Sequence, residues 1–242
     1  MRHAHTCRLF LVAVLAPAAT AGLAAEASAE VIYDGTSLPG TGTCPDGTIA
    51  WHNDSVLGRV FRIQVHEVTD KNSERCEFAV GRDGLRNGAT VWLGWKSRVA
   101  APVTNSWNGI FQAKCHGSHV ADQPLVWSIR GGRLSLENHE DIGGEEVSRT
   151  VWSTTLPMNR WFSILMRVHY SESRTEGSVQ LWYNGAAQTF SNGTTTHRGQ
   201  TWDGSENNVH WGIYRRSSID GAQTHYVWRP RIATTRAEAD PN

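Results

Sequence analysis

The sequence predicts an all-β protein, a single-domain β-sandwich of the jelly-roll type, and three observations support that prediction. Short segments alternate apolar and polar residues with the period of two that is typical of strands. Tight-turn dipeptides separate the segments, and no stretch sustains a helical period. Many short strands, together with 23 glycines, favour a sandwich. The turn dipeptides are Gly131-Gly132, Asn184-Gly185, Asn192-Gly193 and Asp203-Gly204.

Each predicted strand is a short run in which apolar side chains recur at alternate positions. In the first, Ile63 and Val65 would face the core, while Arg62 and Gln64 would face the other side. The predicted strands, in chain order, are Arg59–His66, Arg75–Val80, Val91–Lys96, Gly109–His116, Leu125–Arg130, Arg133–Glu137, Trp161–Tyr170, Ser178–Tyr183, Val209–Tyr214 and Thr224–Ile232.

Residues 1–29 are predicted to be a secretion signal peptide. Two arginines flank a short basic start, residues 9–21 are mostly apolar, and Ala27 to Ala29 supply the small residues that a signal peptidase needs. The apolar run is too short and too rich in alanine to anchor the chain in a membrane. Residues 30–242 are therefore expected to form one secreted, extracellular and monomeric domain that has no membrane partner.

The charge balance argues against two classes of partner. The formal net charge is +0, from 23 basic and 23 acidic residues. No overall field would then attract nucleic acid or an anionic membrane. An anionic ligand would have to be bound by local charge.

The cysteines predict one disulfide and one free thiol. One of the four cysteines lies in the signal peptide, which leaves Cys44, Cys76 and Cys115 in an oxidising compartment. Both Cys44–Cys115 and Cys76–Cys115 are possible pairings. Cys115, His116 and His119 are close in sequence, but no fourth ligand accompanies them at a recognisable spacing, so a metal site is not expected.

Four predicted strands carry a polar face of unusual composition. Solvated sheet faces favour Thr, Ser, Lys and Glu, whereas these faces are rich in Arg, Gln, His and Tyr. Arg and Gln can donate to a carboxylate, and Tyr or His can transfer a proton, which suits β-elimination in a uronic-acid polysaccharide. The faces carry Arg62, Gln64 and His66; Ser73, Arg75 and Glu77; Gln112, Lys114 and His116; and His210, Tyr214 and Arg216.

The chain has eleven tryptophans, which is many for its length. Trp161, Trp182 and Trp211 lie within apolar strand patterns and are predicted to belong to the core. Exposed indoles can stack on the apolar face of a sugar ring. The candidates for such stacking are Trp92, Trp95, Trp107 and Trp127.

Three short motifs occur in order along the chain: Arg-x-Glu at 75–77, Gln-x-Lys at 112–114 and Gly-Ile-Tyr-Arg at 212–215. Together with the segments NRWFSILMRVHY and GSVQLWYNG, this order resembles the jelly-roll polysaccharide lyases, in particular the heparin lyase I and glucuronan lyase group. The resemblance extends from about residue 32 to residue 232. It implies a concanavalin-like jelly roll, with a groove across the concave sheet, and an endo-acting lyase that cleaves an anionic polysaccharide.

The resemblance also implies roles for individual residues. Gln112 and Arg75 would neutralise the substrate carboxylate, Tyr214 would transfer protons, and His66 is the candidate second base. Alginate lyases of related fold carry Gln-x-His where this chain has Lys114, so either His66 or His116 substitutes for that histidine, or Tyr214 makes both proton transfers. The expected substrate-binding residues are Lys114, His116, Glu77, Arg215, Trp127 and Trp95.

No cofactor is required by this chemistry. Some members of the group bind calcium for structure, and Asp141, Glu145 and Glu146 could supply oxygen ligands, although a solvated acidic loop is the commoner explanation. A glucuronan-like polymer is the first expectation for the substrate, because a highly sulfated, heparin-like chain would meet a more basic surface. Heparin-like chains and alginate come second.

Two other functional classes are alternatives to a lyase. A glycoside hydrolase needs two carboxylates around the scissile bond, and the Glu-x-Asp-x-x-Glu strand motif of sandwich hydrolases is absent. A non-catalytic carbohydrate-binding sandwich would use the same groove. Such a protein has no need of a proton-transferring Tyr214 beside carboxylate donors.

Overall fold

The computed structural model describes residues 29–38, 42–67, 72–81, 85–115, 120–204 and 207–242. The predicted signal peptide, apart from its last residue, lies outside the described residues. So do His116 and His119, whose predicted roles therefore stay predictions.

The described residues form short strands and a single four-residue helix, as the period-two pattern predicts. The strands are β1 (Val31–Tyr33), β2 (Gly42–Thr43), β3 (Gly47–Asp54), β4 (Gly58–Val65), β5 (Ser73–Val80), β6 (Thr90–Ala100), β7 (Asn108–Cys115), β8 (Leu125–Arg130), β9 (Arg133–Asp141), β10 (Glu146–Thr155), β11 (Phe162–His169), β12 (Ser178–Tyr183), β13 (Ala186–Ala187), β14 (His197–Arg198), β15 (Asn207–Arg216) and β16 (Gln223–Ala233). The helix, α1, is Arg236–Ala239. No helix in the described ranges is long and apolar enough to cross a membrane.

The strands form two antiparallel sheets that pack face to face. The nine-stranded sheet has the order β13-β12-β11-β6-β16-β4-β3, with β1 paired to β16 and β14 paired to β12. The seven-stranded sheet has the order β10-β9-β8-β7-β15-β5-β2. Strands distant in sequence are neighbours in both sheets, as in a Greek-key sandwich. The predicted all-β jelly-roll fold is confirmed.

The core lies between the sheets and is dominated by aromatic rings. Trp95 of the nine-stranded sheet stacks on Phe111 of the other sheet at 4.9 Å between ring centroids, and meets Trp211 edge-on at 5.8 Å. Trp127 packs beside them, 6.4 Å from Trp95. All four rings are fully buried, and burial of each large apolar side chain stabilises the fold by about 2–3 kcal/mol.

Two substrate-binding predictions are wrong because of this packing. Trp95 and Trp127 have no exposed surface, since the strand alternation turns both towards the opposite sheet. The core prediction is right for Trp211. Trp161 and Trp182 are only partly buried; Trp182 lies 5.3 Å from the Trp92 ring, outside the main core.

A buried hydrogen-bonded chain joins the two sheets beneath β15. The Trp95 Nε1–H donates to Ser97 Oγ at 2.9 Å, and Ser97 lies 2.9 Å from His225 Nε2. His225 Nδ1 lies 2.9 Å from the carbonyl oxygen of Gly212, which can only accept. A neutral His225 ring satisfies every contact, and burial lowers its pKa to about 4. This series of hydrogen bonds holds the backbone of β15 at Gly212, two residues before Tyr214.

The structure contains one disulfide and one free thiol in the described residues, as predicted, but the pairing differs from both predicted options. Cys44 is bonded to Cys76 of β5, and Cys115 is free and buried. Alternation on β7 turns Cys115 towards the interior, where burial raises its pKa to about 12. The disulfide ties β5 to the segment between β2 and β3.

Candidate active site

Three of the four predicted polar faces lie side by side on the outer surface of the seven-stranded sheet. Strand β15 pairs with β7 on one side and with β5 on the other. The register therefore brings together residues far apart in sequence. The cross-strand neighbours are Tyr214 and Arg75, Gly212 and Glu77, and His210 and Gln112.

The fourth polar face does not join them. Arg62 and Gln64 belong to β4, a strand of the nine-stranded sheet. His66 follows β4 and is exposed. The prediction that His66 shares a face with Gln112 is wrong, because β4 extends the other sheet beyond β16 instead of pairing with β5.

The first carboxylate cluster, called the Glu77 cluster, consists of Glu77, Arg75, Gln112 and His210. Arg75 Nε donates to Glu77 Oε2 at 2.6 Å, and Gln112 Nε2 donates to Oε1 at 2.5 Å. His210 Nδ1 lies 3.6 Å from Oε2, which is longer than a hydrogen bond. Glu77 and Gln112 are each 1% exposed. The carboxylate and the amide of the cluster are therefore buried, while the Arg75 side chain remains 24% exposed.

Glu77 is held in its ionised form. Burial alone would raise its pKa, but His210, the Arg75 charge and the Gln112 hydrogen bond outweigh burial and lower the pKa below its usual value. Glycine at position 212 makes room for β5 and the Glu77 side chain, because a Cβ there would clash with the Cys76 carbonyl oxygen and lie 2.7 Å from Glu77 Cγ. The predicted substrate-binding role of Glu77 is thus replaced by one of orienting its donors.

Tyr214 lies at the edge of this cluster and reaches an open cleft. The Arg75 guanidinium lies 4.5 Å over the Tyr214 ring, and Trp107 meets the ring edge-on at 5.3 Å. The cleft has a volume of about 270 Å³. Its wall includes Tyr214, Trp107, Arg130, Arg216, Glu137 and His139.

A second carboxylate cluster, called the Glu137 cluster, lines the cleft opposite Tyr214. Glu137 Oε1 accepts from Ser128 Oγ at 2.5 Å, and Oε2 accepts from Trp107 Nε1 at 3.4 Å. His139 Nε2 lies 3.2 Å from Glu137 Oε2, and its Nδ1 lies 3.2 Å from Glu146 Oε1. Burial raises the pKa of Glu137, but hydrogen bonds from His139 and Ser128 outweigh it and lower the pKa.

Two further predicted substrate-binding residues are engaged elsewhere. Arg215 is fully buried; its Nε and a terminal nitrogen each lie 2.6 Å from a Glu74 oxygen, so the prediction for Arg215 is wrong. The period of two turns Arg215 away from the face that carries Tyr214. Lys114 is on the predicted face, but its Nζ forms a 2.7 Å ion pair with Asp122.

Of the four tryptophans considered for stacking, Trp107 lines the cleft. It is partly buried and keeps contact with Tyr214 and Glu137. Trp92 packs against Trp182 on the other sheet. Trp107 is therefore the stacking candidate that the geometry retains.

The acidic loop gives calcium little support. Within the described ranges, no group of three or more His, Cys, Asp and Glu side chains is arranged to hold a metal ion. Asp141 Oδ1 accepts from the Gly144 backbone, and Glu146 contacts His139. The expectation that no cofactor is required, with structural calcium as a possibility, stays a prediction.

Sequence reasoning missed the Glu137 cluster. The predicted strand ended at Glu137, because ENHED was interpreted as part of an acidic loop, whereas β9 continues to Asp141. The alternation was present: Leu134 and Leu136 face the core, and Glu137 and His139 continue the opposite face. Extending the period of two by one step would have found His139.

Comparisons with known proteins agree with this architecture. The sequence profile of the polysaccharide lyase family matches residues 38–229. No curated protein sequence matches the chain. An endo-β-1,4-glucuronan lyase from the fungus Trichoderma reesei superposes with a TM-score of 0.68 at 15% identity, covering 88% of this chain and 98% of that one.

Two other solved structures share the fold more loosely. The alginate lyase AlgAT5, of polysaccharide lyase family 7, superposes with a TM-score of 0.50 at 15% identity, over 75% of this chain and 81% of that chain. The binding domain of botulinum neurotoxin DC gives 0.51 at 10% identity, over 78% of this chain and 42% of the other. At these identities the structural likeness establishes the fold alone.

Proposed function

The chain belongs to the polysaccharide lyase family, and we propose that it is a secreted, endo-acting enzyme that cleaves β-linked polyglucuronate by β-elimination. One observation carries the proposal: Tyr214 reaches an open cleft while its ring is held between Arg75 and Trp107. A proton-transferring phenol, a guanidinium and an indole are thereby gathered at one place on the sheet.

β-Elimination consists of three events in the active site. A base removes the C5 proton, the electron pair forms the C4–C5 double bond as the C4–O4 bond breaks, and the departing O4 takes a proton. Because C5 lies next to the carboxylate, negative charge builds up on that group in the transition state. Hydrogen-bond donors accelerate the step most when their bonds to this carboxylate become stronger in the transition state.

Tyr214 is proposed to make both proton transfers. In a β-linked glucuronate unit, the C5 proton and O4 lie on the same side of the sugar ring. A single tyrosine oxygen can then take the C5 proton as the phenolate and, as the resulting phenol, give that proton to O4. This geometry removes the need for His66, which lies on the other sheet.

Arg75 is the proposed partner of the reacting carboxylate. Its Nε is engaged with Glu77, and its side chain is 24% exposed, so the terminal nitrogens are the part that would meet the sugar. Gln112 is too deeply buried for direct contact in this conformation and is proposed to act through Glu77. Arg130 and Arg216 are exposed at the cleft and would meet the carboxylates of neighbouring units.

Three further observations support the choice of polymer. The net charge of +0 suits a carboxylated chain better than a densely sulfated one. The superposition covers 98% of a chain that is a glucuronan lyase. The cleft is open on the surface of the sheet, which suits binding within a long polymer, whereas a closed pocket would bind a chain end.

The test is a substrate panel of polyglucuronate, alginate, heparin and hyaluronan offered to the purified protein. Ultraviolet absorbance of the new C4–C5 double bond reports elimination, and viscosity reports chain length. We expect absorbance to rise with polyglucuronate first, with viscosity falling early, as internal cleavage requires. A rise with alginate or heparin alone would replace the proposed substrate, and a slow fall in viscosity would replace the endo-acting mode.

The proposed export has its own test. Residues 1–29 should be absent from protein recovered outside the producing cells, and mass spectrometry of its N-terminus would show this. Recovery of intact residues 1–29 would contradict the signal-peptide assignment.

A further inference from the structure

The two carboxylates that flank His139 are held very differently. The Glu137 side chain is 6% exposed, and Ser128 and Trp107 hold it in addition to His139. The Glu146 side chain is 41% exposed, and its carboxylate contacts His139 at 3.2 Å. Glu137 is thus a fixed part of the site, and Glu146 is a loosely held carboxylate lying in the cleft.

The contacts of His139 indicate which kind of ligand can bind beside its Nδ1 atom. A carboxylate can only accept hydrogen bonds, so an imidazole nitrogen must carry a proton to donate to it. Glu146 Oε1 lies 3.2 Å from His139 Nδ1, so a carboxylate at this point of the cleft is within reach of a ring nitrogen that can donate when it carries the proton.

We propose that this position is a subsite for the carboxylate of a uronic acid unit, and that Glu146 occupies it as an internal competitor. The inference rests on the proposed function, because it takes a uronate polymer as the ligand. The sugar carboxylate has the same charge and the same two acceptor oxygens as the Glu146 side chain. His139 becomes a specificity-determining residue that binds a unit beside the reacting one.

The position of Glu146 allows the exchange. It is the first residue of β10, the edge strand of the seven-stranded sheet, and is joined to a glycine-containing turn. Exposed ion pairs contribute little, so Glu146 can leave at small cost. Ser148 and Gln123 line the same part of the cleft and can donate to the incoming sugar.

The experiment compares Glu146→Gln with Glu145→Gln on the uronate polymer that the enzyme cleaves. Both substitutions remove one negative charge from the same turn, and Glu145 is exposed there. Removing the competitor should lower KM about 2- to 5-fold with kcat unchanged, as expected for an exposed ion pair. Glu145→Gln should keep the wild-type KM. His139→Gln should raise KM about tenfold through the lost charged hydrogen bond.

Equal effects of the two glutamate substitutions would overturn the proposal, since general charge would then explain both. An unchanged or higher KM for Glu146→Gln would overturn it too. Nuclear magnetic resonance of the His139 ring gives a readout that does not need cleavage. Glucuronate should shift the His139 signals at lower concentration in Glu146→Gln than in wild type, and glucose should not shift them.

The two readouts separate this subsite from the proposed reaction. If no polymer is cleaved but glucuronate shifts the His139 signals as expected, the proposed reaction fails and the subsite stands. If polyglucuronate is cleaved but glucuronate leaves those signals unmoved in both proteins, the subsite fails and the reaction stands.

Discussion

The seven-stranded sheet carries two carboxylate–histidine clusters with similar chemistry and different access to the cleft. Glu77 lies beside His210, and Glu137 lies beside His139. Both carboxylates are buried, but His139 also contacts Glu146, whose side chain is 41% exposed in the open cleft. A buried carboxylate such as Glu77 fixes the positions of its hydrogen-bond donors, whereas the position of an exposed one such as Glu146 is available to a ligand.

The difference comes from which strands supply the partners. Glu77 receives its donors from its own strand and from β7 and β15, which lie on the inner side of β5 in the sheet order. Glu137 receives Ser128 from β8 and Trp107 from the segment before β7. The edge strand β10 then brings Glu146 to His139 from the outer side. Edge position keeps the Glu137 cluster accessible.

The largest expected effect is on stability, from Glu77→Gln. The substitution leaves Arg75 and Gln112 facing an amide in place of a charge, at a position that is 1% exposed. Breaking a buried ion pair costs about 3–5 kcal/mol. Urea unfolding should show this loss. Glu137→Gln, the matched change in the Glu137 cluster, should lower the unfolding free energy by about 1.5–3 kcal/mol, as for a hydrogen bond to a charged group. Equal losses in the two variants would contradict the distinction between the clusters.

The second-largest expected effect on stability is that of removing the disulfide, which lies next to the Glu77 cluster. Cys76 lies between Arg75 and Glu77 on β5, and its bond to Cys44 closes a loop with a sequence separation of 32. Replacing both cysteines by serine should cost about 3–4 kcal/mol in urea unfolding. The kcat should fall more than the KM rises, because β5 positions Arg75 beside Tyr214. A change confined to KM would contradict this link.

Acid should destabilise the protein through the same carboxylates. The folded pKa of Glu77 is depressed, so its contribution is complete above the unfolded value of about 4.3 and is lost as pH falls through the folded value. The slope for one carboxylate approaches about 1.4 kcal/mol per pH unit. His225, buried with a pKa of about 4, adds a loss between about pH 6.5 and 4.

Comparing the wild type with Glu77→Gln isolates Glu77, because His225 titrates in both proteins. The difference in unfolding free energy should be constant at neutral pH and shrink in acid. A difference that grows as pH falls would mean that Glu77 is protonated in the folded protein.

The smallest expected effect on activity is that of substituting Trp107, which contacts both Tyr214 and Glu137. Trp107→Phe removes the indole N–H that Glu137 accepts and keeps an aromatic ring beside Tyr214. One hydrogen bond is worth about 0.5–1.5 kcal/mol, so kcat/KM should fall about 2- to 10-fold. Trp92→Phe, on the other sheet, is the matched control and should leave kcat/KM unchanged. An unchanged value for Trp107→Phe would remove Trp107 from the site.

The fold could be predicted because it depends on local alternation. Period two assigned Trp211 to the core and put Gln112, Arg75 and Tyr214 each on the polar face of its own strand. Sheet membership depends on which distant strands pair, and alternation carries no information about that. His66 was therefore placed with the wrong sheet, although its own strand was predicted correctly.

The sequence also does not reveal which residues of a polar face are buried. The pattern of β7 puts Gln112 and Lys114 on the same face. In the structure, Gln112 is buried and Lys114 forms an ion pair with Asp122. Tryptophan suits both a core and a sugar-stacking role, and alternation alone does not reveal that the opposite sheet covers Trp95 and Trp127. The disulfide partner of Cys76 likewise depends on a contact between segments far apart in sequence.

The most direct test of the account is the absorbance of the unsaturated product formed from polyglucuronate by Tyr214→Phe, measured beside Tyr226→Phe. Tyr226 is a partly buried tyrosine on the other sheet, with Arg98 4.2 Å over its ring. If Tyr214 transfers the protons, Tyr214→Phe should lower kcat by at least about 10²-fold, while Tyr226→Phe stays near wild type. A Tyr214→Phe enzyme that keeps kcat within a few-fold of wild type would contradict the account.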